Sequence, residues 1–140
     1  MARTASLRVG ILFLAFSAGC NDDSKRYGVS GTVTLNGEVL KDGVVTFVPV
    51  SPESPTQGSA AVAAGKFRIS AEQGLAPGMY KISISSPDGK TPVADPNAAP
   101  GPSGNFTSRD RIPAEFNIRS TLEIEVKPDT KANVYDFKIP

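Results

Sequence analysis

The side chains that most often perform chemistry in proteins are sparse in this 140-residue chain. It contains no histidine, 14 acidic residues and a single cysteine, Cys20. Without histidine, the chain lacks the usual base of serine and cysteine nucleophiles and the imidazole ligands of common zinc sites. The composition therefore argues against an enzyme, and we expect neither a catalytic residue nor a metal or cofactor.

One pair of carboxylates has a spacing that deserves a comparison with glycosidases. Glu123 and Glu125 lie on the same face of a predicted strand, about 7 Å apart by strand rise. Retaining glycosidases place their two carboxyl groups about 5–5.5 Å apart, and inverting glycosidases place them farther apart. Because Lys127 shares this outward face, we interpret the pair as solubilising charge.

The remaining acidic residues do not form a recognisable metal motif. Asp22 and Asp23 are adjacent in a polar tail, where two carboxylates make a poor cage. Asp88, Asp95 and Asp110 are scattered along one long segment without the spacing of a calcium-binding EF-hand. We therefore predict no calcium site.

The single cysteine follows a segment typical of export signals. Arg3 and Arg8 precede an apolar stretch at residues 9–16, which is shorter than the roughly 20 residues that span a bilayer. Small residues, Ser17-Ala18-Gly19, stand directly before Cys20. This arrangement resembles the lipobox of bacterial lipoproteins, although Ser17 stands where that family usually has leucine.

The lipobox resemblance implies how the N-terminus is processed and where the protein is located. In that family the signal is cleaved before the cysteine, which receives a diacylglycerol thioether and a fatty acid such as palmitate on its new amine. Residues 1–19 would then be the signal peptide, Cys20 the lipid attachment site and residues 20–26 a tether. The expected location is the extracytoplasmic side of a membrane in the bacterial cell envelope. The alternative is an ordinary secretory signal with an unrelated cysteine.

The charge balance excludes one class of partner. The chain carries 15 basic and 14 acidic residues, and loss of Arg3 and Arg8 with the signal peptide leaves 13 basic residues. Nucleic-acid binding requires a clustered excess of Lys and Arg. We therefore expect no nucleic-acid partner.

The first part of the domain, residues 27–50, reads as a run of β-strands. Every second residue from Tyr27 to Leu35, including Val29 and Val33, is apolar or small, and the residues between them are small and mostly polar. This alternation predicts a strand with one buried face. Asn36-Gly37 fits a two-residue type I′ turn, and Asp42-Gly43 fits a second turn. Residues 44–48 read as the next strand.

The later segments repeat this alternation. Strands are predicted at residues 59–63, 66–70, 79–86, 121–127 and 134–139. The expected inward residues include Phe67, Ile69, Tyr80, Ile82, Ile84, Leu122, Ile124, Val126, Tyr135, Phe137 and Ile139. Ile112 and Phe116 are expected to fix an irregular or helical turn on the core. Residues 87–111 are rich in Pro and Gly, which predicts a long loop that is disordered or a mobile flap.

About seven short strands with no long helix favour an all-β, antiparallel sandwich of the transthyretin or immunoglobulin kind over residues 27–140. The runs GTVTLNG (31–37), GVVTFVP (43–49), GKF (65–67) and PGMYKI (77–82) resemble the carboxypeptidase regulatory-like domains, which share the seven-stranded transthyretin-like sandwich. The closing run (112–137) resembles small envelope lipoproteins with one such domain. In the larger carboxypeptidases this domain is an accessory to a catalytic domain that this chain lacks.

The resemblance implies a non-catalytic structural or protein-interaction module of the envelope, anchored to the membrane and bound to an unidentified envelope protein. The alternative is a small-ligand or glycan-binding module on the same fold. Glycan platforms usually stack sugars on exposed aromatic rings. The chain has no Trp, and Tyr27, Tyr80 and Tyr135 all lie on the core parity. This distribution favours the protein-interaction interpretation.

Overall fold

The computed structural model describes residues 25–52, 56–94, 97 and 106–140. This part of the chain contains ten β-strands and two short 3-10 helices, at Ala114–Phe116 and Thr130–Ala132. The strands are β1 (Val29–Leu35), β2 (Glu38–Val39), β3 (Asp42–Pro49), β4 (Gly58–Ala63), β5 (Lys66–Ile69), β6 (Gly78–Ser85), β7 (Pro87–Ala94), β8 (Phe106–Asp110), β9 (Glu123–Val126) and β10 (Val134–Ile139). The described chain is all-β, as the alternation predicted.

Seven of the strands form one curled sheet in the order β10-β1-β5-β4-β3-β6-β9, and β2 pairs with the end of β1. Neighbouring strands are antiparallel except β1 and β10, which run parallel. The sheet bends between β4 and β5, which share only the pair Ala63–Lys66 around the tight turn at Ala64 and Gly65. The bend lays β10-β1-β5 against β4-β3-β6-β9 and gives the expected sandwich.

The core lies between the two halves of this sheet. Phe67 of β5 connects them, because its ring centroid lies 5.7 Å from that of Phe137 on β10 and 6.0 Å from that of Phe47 on β3. Most inward positions predicted from the alternation are buried, including Val33, Phe67 and Ile82, whereas Leu122 and Tyr135 are partly buried and pack against the core. Ile112 is also buried, and Phe116, the last residue of the first 3-10 helix, packs against the core, as expected.

The first hairpin matches the sequence prediction, but the second predicted turn is wrong. Asn36 and Gly37 have φ values of 53° and 81°, as a type I′ turn requires. Asp42 and Gly43 do not turn; they begin β3 and pair with Ala63 and Val62 of β4. Glycine is needed at position 43 for a close approach, because a Cβ there would lie 2.7 Å from the carbonyl oxygen of Ser85.

The interpretation of residues 87–111 as a long loop is wrong for its two ends, where β7 and β8 pair with each other in a separate two-stranded sheet. Their described residues are mostly exposed. Because these residues give neither strand a buried face, neither shows the alternation of apolar and polar residues by which strands are recognised in a sequence. The Asp88 carboxylate accepts hydrogen bonds from the backbone N–H groups of Lys90 and Thr91, both at 2.9 Å. These local bonds shape β7 where the pairing with β8 is irregular.

Candidate functional site

A trough runs along the outer face of β1, between the side chains of its two neighbours. The outward residues of β1 are small: Ser30 pairs with Arg68 of β5 and Val134 of β10, and Thr32 pairs with Lys66 and Asp136. Since side chains on the flanking strands are longer than those on β1, the face is lowest along its middle strand. The resulting trough has a volume of about 540 Å³. Its lining residues are Ser30, Gly31, Thr32, Ala63, Lys66, Phe67, Arg68, Val134 and Asp136.

The floor of the trough is rigidly supported from the core side. A Cβ on Gly31 would lie 2.8 Å from the ring of Phe67 and would collide with the carbonyl oxygen of Tyr135. Glycine at this position therefore lets β5, β1 and β10 approach closely while the Phe67 ring fills the space beneath. The floor is consequently backbone and small side chains, held by the stacked Phe67 and Phe137 rings.

The two walls of the trough differ in chemistry. The β5 wall carries the exposed cations Lys66 and Arg68. The β10 wall carries Val134, which is 59% exposed, and Asp136, whose Oδ1 accepts a 2.6 Å hydrogen bond from the Thr32 hydroxyl. The trough therefore has one cationic wall and one wall that combines the apolar side chain of Val134 with the carboxylate of Asp136.

A second hollow of about 250 Å³ continues the trough towards the start of β1. It shares Ser30, Arg68 and Val134 with the trough and adds a third cation, Lys131. The ion pairs of the described residues join Arg111 to Asp42 and Arg119 to Glu115. Within that part of the chain, the three trough cations thus have no carboxylate within ion-pair distance.

The described carboxylates that the sequence singled out do not line the trough. Glu123 and Glu125 are exposed on β9, the edge strand of the other half of the sandwich. Asp88 is half-buried, and hydrogen bonds from the Thr91 side chain and from the Lys90 and Thr91 N–H groups lower its pKa to about 2. Among the described residues, no three potential metal ligands come together. Asp22, Asp23 and Asp95 lie outside the described residues.

Asp110 is the centre of a hydrogen-bond network that the sequence did not reveal. Its Oδ1 accepts from the N–H groups of Ser86 (2.9 Å) and Ile112 (2.8 Å), and its Oδ2 accepts from the Ser85 hydroxyl and the Asn117 amide. These bonds connect the ends of β6 and β8 to the segment around the first 3-10 helix. The carboxylate is saturated by donors, so its role is structural.

Arg111 extends this network to the start of β3. One terminal guanidinium nitrogen donates to Asp42 Oδ1 at 2.8 Å and to the Ser86 hydroxyl at 2.6 Å. The Ser86 hydroxyl in turn donates to the Asp42 carbonyl at 2.6 Å. The base of the β7–β8 hairpin is thereby fixed to the curled sheet.

The predicted lipid attachment site, Cys20, lies outside the described residues, as do the predicted signal peptide and most of the predicted tether. In the part of the chain that is described, no helix has the length and apolar character needed to cross a bilayer.

The trough was missed from the sequence because it depends on which strands are neighbours. Alternation correctly placed Ser30, Thr32, Lys66 and Arg68 on outward faces. It could not show that β5 and β10 flank β1, since β10 comes from the far end of the chain. The signal that was available is the run of small outward residues on one strand, between strands with long ones.

Comparison of the chain with protein-family models, with curated proteins and with solved structures found no match.

Proposed function

We propose that this protein is a membrane-anchored lipoprotein of the bacterial envelope whose β-sandwich binds a partner protein through the β1 trough. Its role is non-catalytic, and its domain is of the carboxypeptidase regulatory-like kind. The observation that carries the binding proposal is the trough itself, with a floor of small side chains between a cationic wall and a wall formed by Val134 and Asp136.

The trough is a better candidate than the opposite outer face of the sandwich. That face also has a hollow, of about 480 Å³, but its lining residues Val44, Thr46, Gln57, Gly58 and Ser59 carry no charge. Charged groups around an interface increase the association rate and select among partners. The trough offers both such charges and the exposed apolar side chain of Val134.

A protein partner is supported over a glycan. Sugar-binding surfaces usually present an aromatic face, and the only aromatic residue lining the trough is Phe67, which is 3% exposed. Tyr80 is fully buried, and the Tyr135 hydroxyl donates to the Glu125 carbonyl at 2.6 Å. The glycan alternative therefore has no stacking surface in the trough.

Membrane anchoring rests on Ser17-Ala18-Gly19-Cys20 and is tested separately. More than one acyl chain is needed for stable attachment to a bilayer. Cys20→Ala is expected to release the protein from the membrane fraction and to abolish acyl labelling. Retention of the variant in the membrane fraction, or absence of acyl label on the wild type, would refute the lipoprotein proposal.

The binding proposal is tested by filling the trough. Thr32→Trp places a large ring between the walls, whereas Thr46→Trp places the same ring on the other outer face. Both threonines are half-buried outward residues of β-strands. With tagged variants of equal thermal stability, quantitative mass spectrometry should find envelope proteins that co-purify with wild type and Thr46→Trp but are lost with Thr32→Trp. Identical recoveries from the two variants would contradict the proposal.

A further inference from the structure

We infer that the trough takes an extended segment of the partner protein in which acidic and apolar residues alternate. This inference rests on the proposed function and specifies its ligand. Three properties of the trough support it: its width, the spacing of its cations and the difference between its walls.

The width of the trough favours an extended chain over a helix. β5 and β10 flank β1 on either side, so their backbones are about 9.6 Å apart, which is two interstrand spacings. The side chains of the walls narrow this gap. An α-helix with side chains is about 10–12 Å across and cannot reach the floor at Ser30 and Thr32. A single extended strand is narrow enough to do so.

The spacing of the cations matches the repeat of such a strand. Lys66 and Arg68 are alternate residues of β5 and face the same side, so they are about 7 Å apart along the strand. Every second side chain of an extended peptide has the same separation. Carboxylates at alternate positions of a segment lying along β1 therefore meet Lys66 and Arg68 in turn. Lys131 adds a third cation in the hollow that adjoins the trough.

The two walls determine what lies between those carboxylates. When every second side chain points to the β5 wall, the intervening ones point to the β10 wall. There Val134 is exposed, and the Asp136 carboxylate accepts the Thr32 hydroxyl hydrogen bond. Apolar side chains at the intervening positions bury Val134. The preferred ligand consequently alternates a Glu or Asp with an aliphatic residue.

The experiment measures fluorescence anisotropy of labelled peptides with the full-length protein in detergent. The probe is a peptide of alternating Glu and Val, compared with alternating Lys and Val and with a peptide of the same Glu and Val content arranged in two blocks. We expect the alternating Glu peptide to bind most tightly. Its affinity should fall when salt is raised from about 0.05 M to about 0.5 M, because the Debye length shortens.

Charge reversal locates the binding to the trough. The double variant Lys66→Glu and Arg68→Glu should weaken binding of the alternating Glu peptide by about tenfold or more. The matched control, Lys41→Glu with Lys81→Glu, changes the net charge equally at exposed lysines that do not line the trough. It should stay within about twofold of wild type. All four positions are exposed, so thermal unfolding should show that both variants fold.

Four results would overturn the inference. Equal loss of affinity in both double variants would show that binding depends only on the net charge of the protein. Equal affinity for the alternating and block peptides would show that the spacing of the peptide's carboxylates does not matter for binding. Binding of polygalacturonate that requires Lys66 and Arg68, without binding of the alternating Glu peptide, would assign the trough to an acidic glycan. If the partner that no longer co-purifies with Thr32→Trp still co-purifies with the double variant Lys66→Glu and Arg68→Glu, the inference about the ligand fails while the proposed function stands.

Discussion

The side-chain amide of Asn133 forms two hydrogen bonds with the backbone of Lys127, in the way that a neighbouring strand's peptide groups would. Asn133 Oδ1 accepts from the Lys127 N–H at 2.8 Å, and Asn133 Nδ2 donates to the Lys127 carbonyl at 3.0 Å. Asn133 is fully buried and stands just before β10, while Lys127 directly follows β9. The two edge strands of the curled sheet are thus connected at one end without forming a ladder.

Removal of this amide should weaken the closed end of the sandwich. Asn133→Ala leaves both backbone groups of Lys127 without their partner, and it should lower the free energy of unfolding by about 1–3 kcal/mol. Lys131→Ala, at an exposed position of the adjacent 3-10 helix, should stay within about 0.5 kcal/mol. Chemical denaturation of both variants measures the difference. Equal effects would mean that the amide bridge does not stabilise the fold.

A second connection at this end makes stability sensitive to alkaline pH. Tyr135 of β10 donates its hydroxyl to the Glu125 carbonyl at 2.6 Å. Burial, and secondarily the Glu125 carboxylate, raise the pKa of Tyr135 above its ordinary value of 10.0. A raised pKa in the folded state stabilises the protein fully below the ordinary value, and this contribution is lost as pH rises above it.

The difference in unfolding free energy between wild type and Tyr135→Phe tests this linkage. It should be constant from about pH 7 to about pH 9 and should shrink above about pH 10, as the phenol ionises and its hydrogen bond is lost. Denaturant unfolding at a series of pH values measures it. A difference that does not change up to about pH 11 would show that Tyr135 ionises equally in both states.

Because buried and exposed residues alternate along β6, substitutions at adjacent positions should have very different effects on the free energy of unfolding. Ile82 is fully buried and Lys81 is exposed. Ile82→Ala should cost about 2–5 kcal/mol because it leaves a cavity in the core, whereas Lys81→Ala should stay within about 0.5 kcal/mol. Urea unfolding measures both values. Similar small costs would place Ile82 outside the core and invert the faces of the sandwich.

The outer part of the β7–β8 hairpin should be dispensable for folding. In the described residues, β7 and β8 pair only with each other, and the network around Asp110 fixes their base. Replacing residues 90–108 with a short Gly/Ser linker should preserve cooperative unfolding, with the midpoint shifted by a few degrees at most. Asp110→Ala is the contrasting variant and should lower the midpoint more. Loss of cooperative unfolding in the shortened protein would show that the outer part of the hairpin is needed for the fold.

The local patterns predicted most of the sandwich because burial on one face imposes alternation. Phe67, Ile82 and Phe137 were predicted as inward residues for this reason, and they are buried. Asn36-Gly37 was predicted correctly because its turn type requires positive φ at both residues. Asp42-Gly43 has similar turn chemistry, but Gly43 is needed for the close approach of β6. Only the tertiary structure distinguishes these two uses of glycine.

Strands without a buried face and relations between distant strands could not be predicted. β7 has no buried residue, so it carries no apolar alternation. The trough depends on the parallel pairing of β1 with β10, which joins residues about 100 positions apart, such as Thr32 and Asp136. No local pattern encodes that adjacency, although the small outward residues of β1 are visible in the sequence.

Site-specific photo-crosslinking in the native envelope tests the central claim most directly. A benzoylphenylalanine residue replaces Thr32 in the trough or, as the matched position, Thr46 on the opposite outer face. We predict a crosslinked adduct to one envelope protein from position 32 and little adduct from position 46. Mass spectrometry should locate the link in an extended segment of that protein. Adducts from position 46 alone, or in equal yield from both positions, would contradict the central claim.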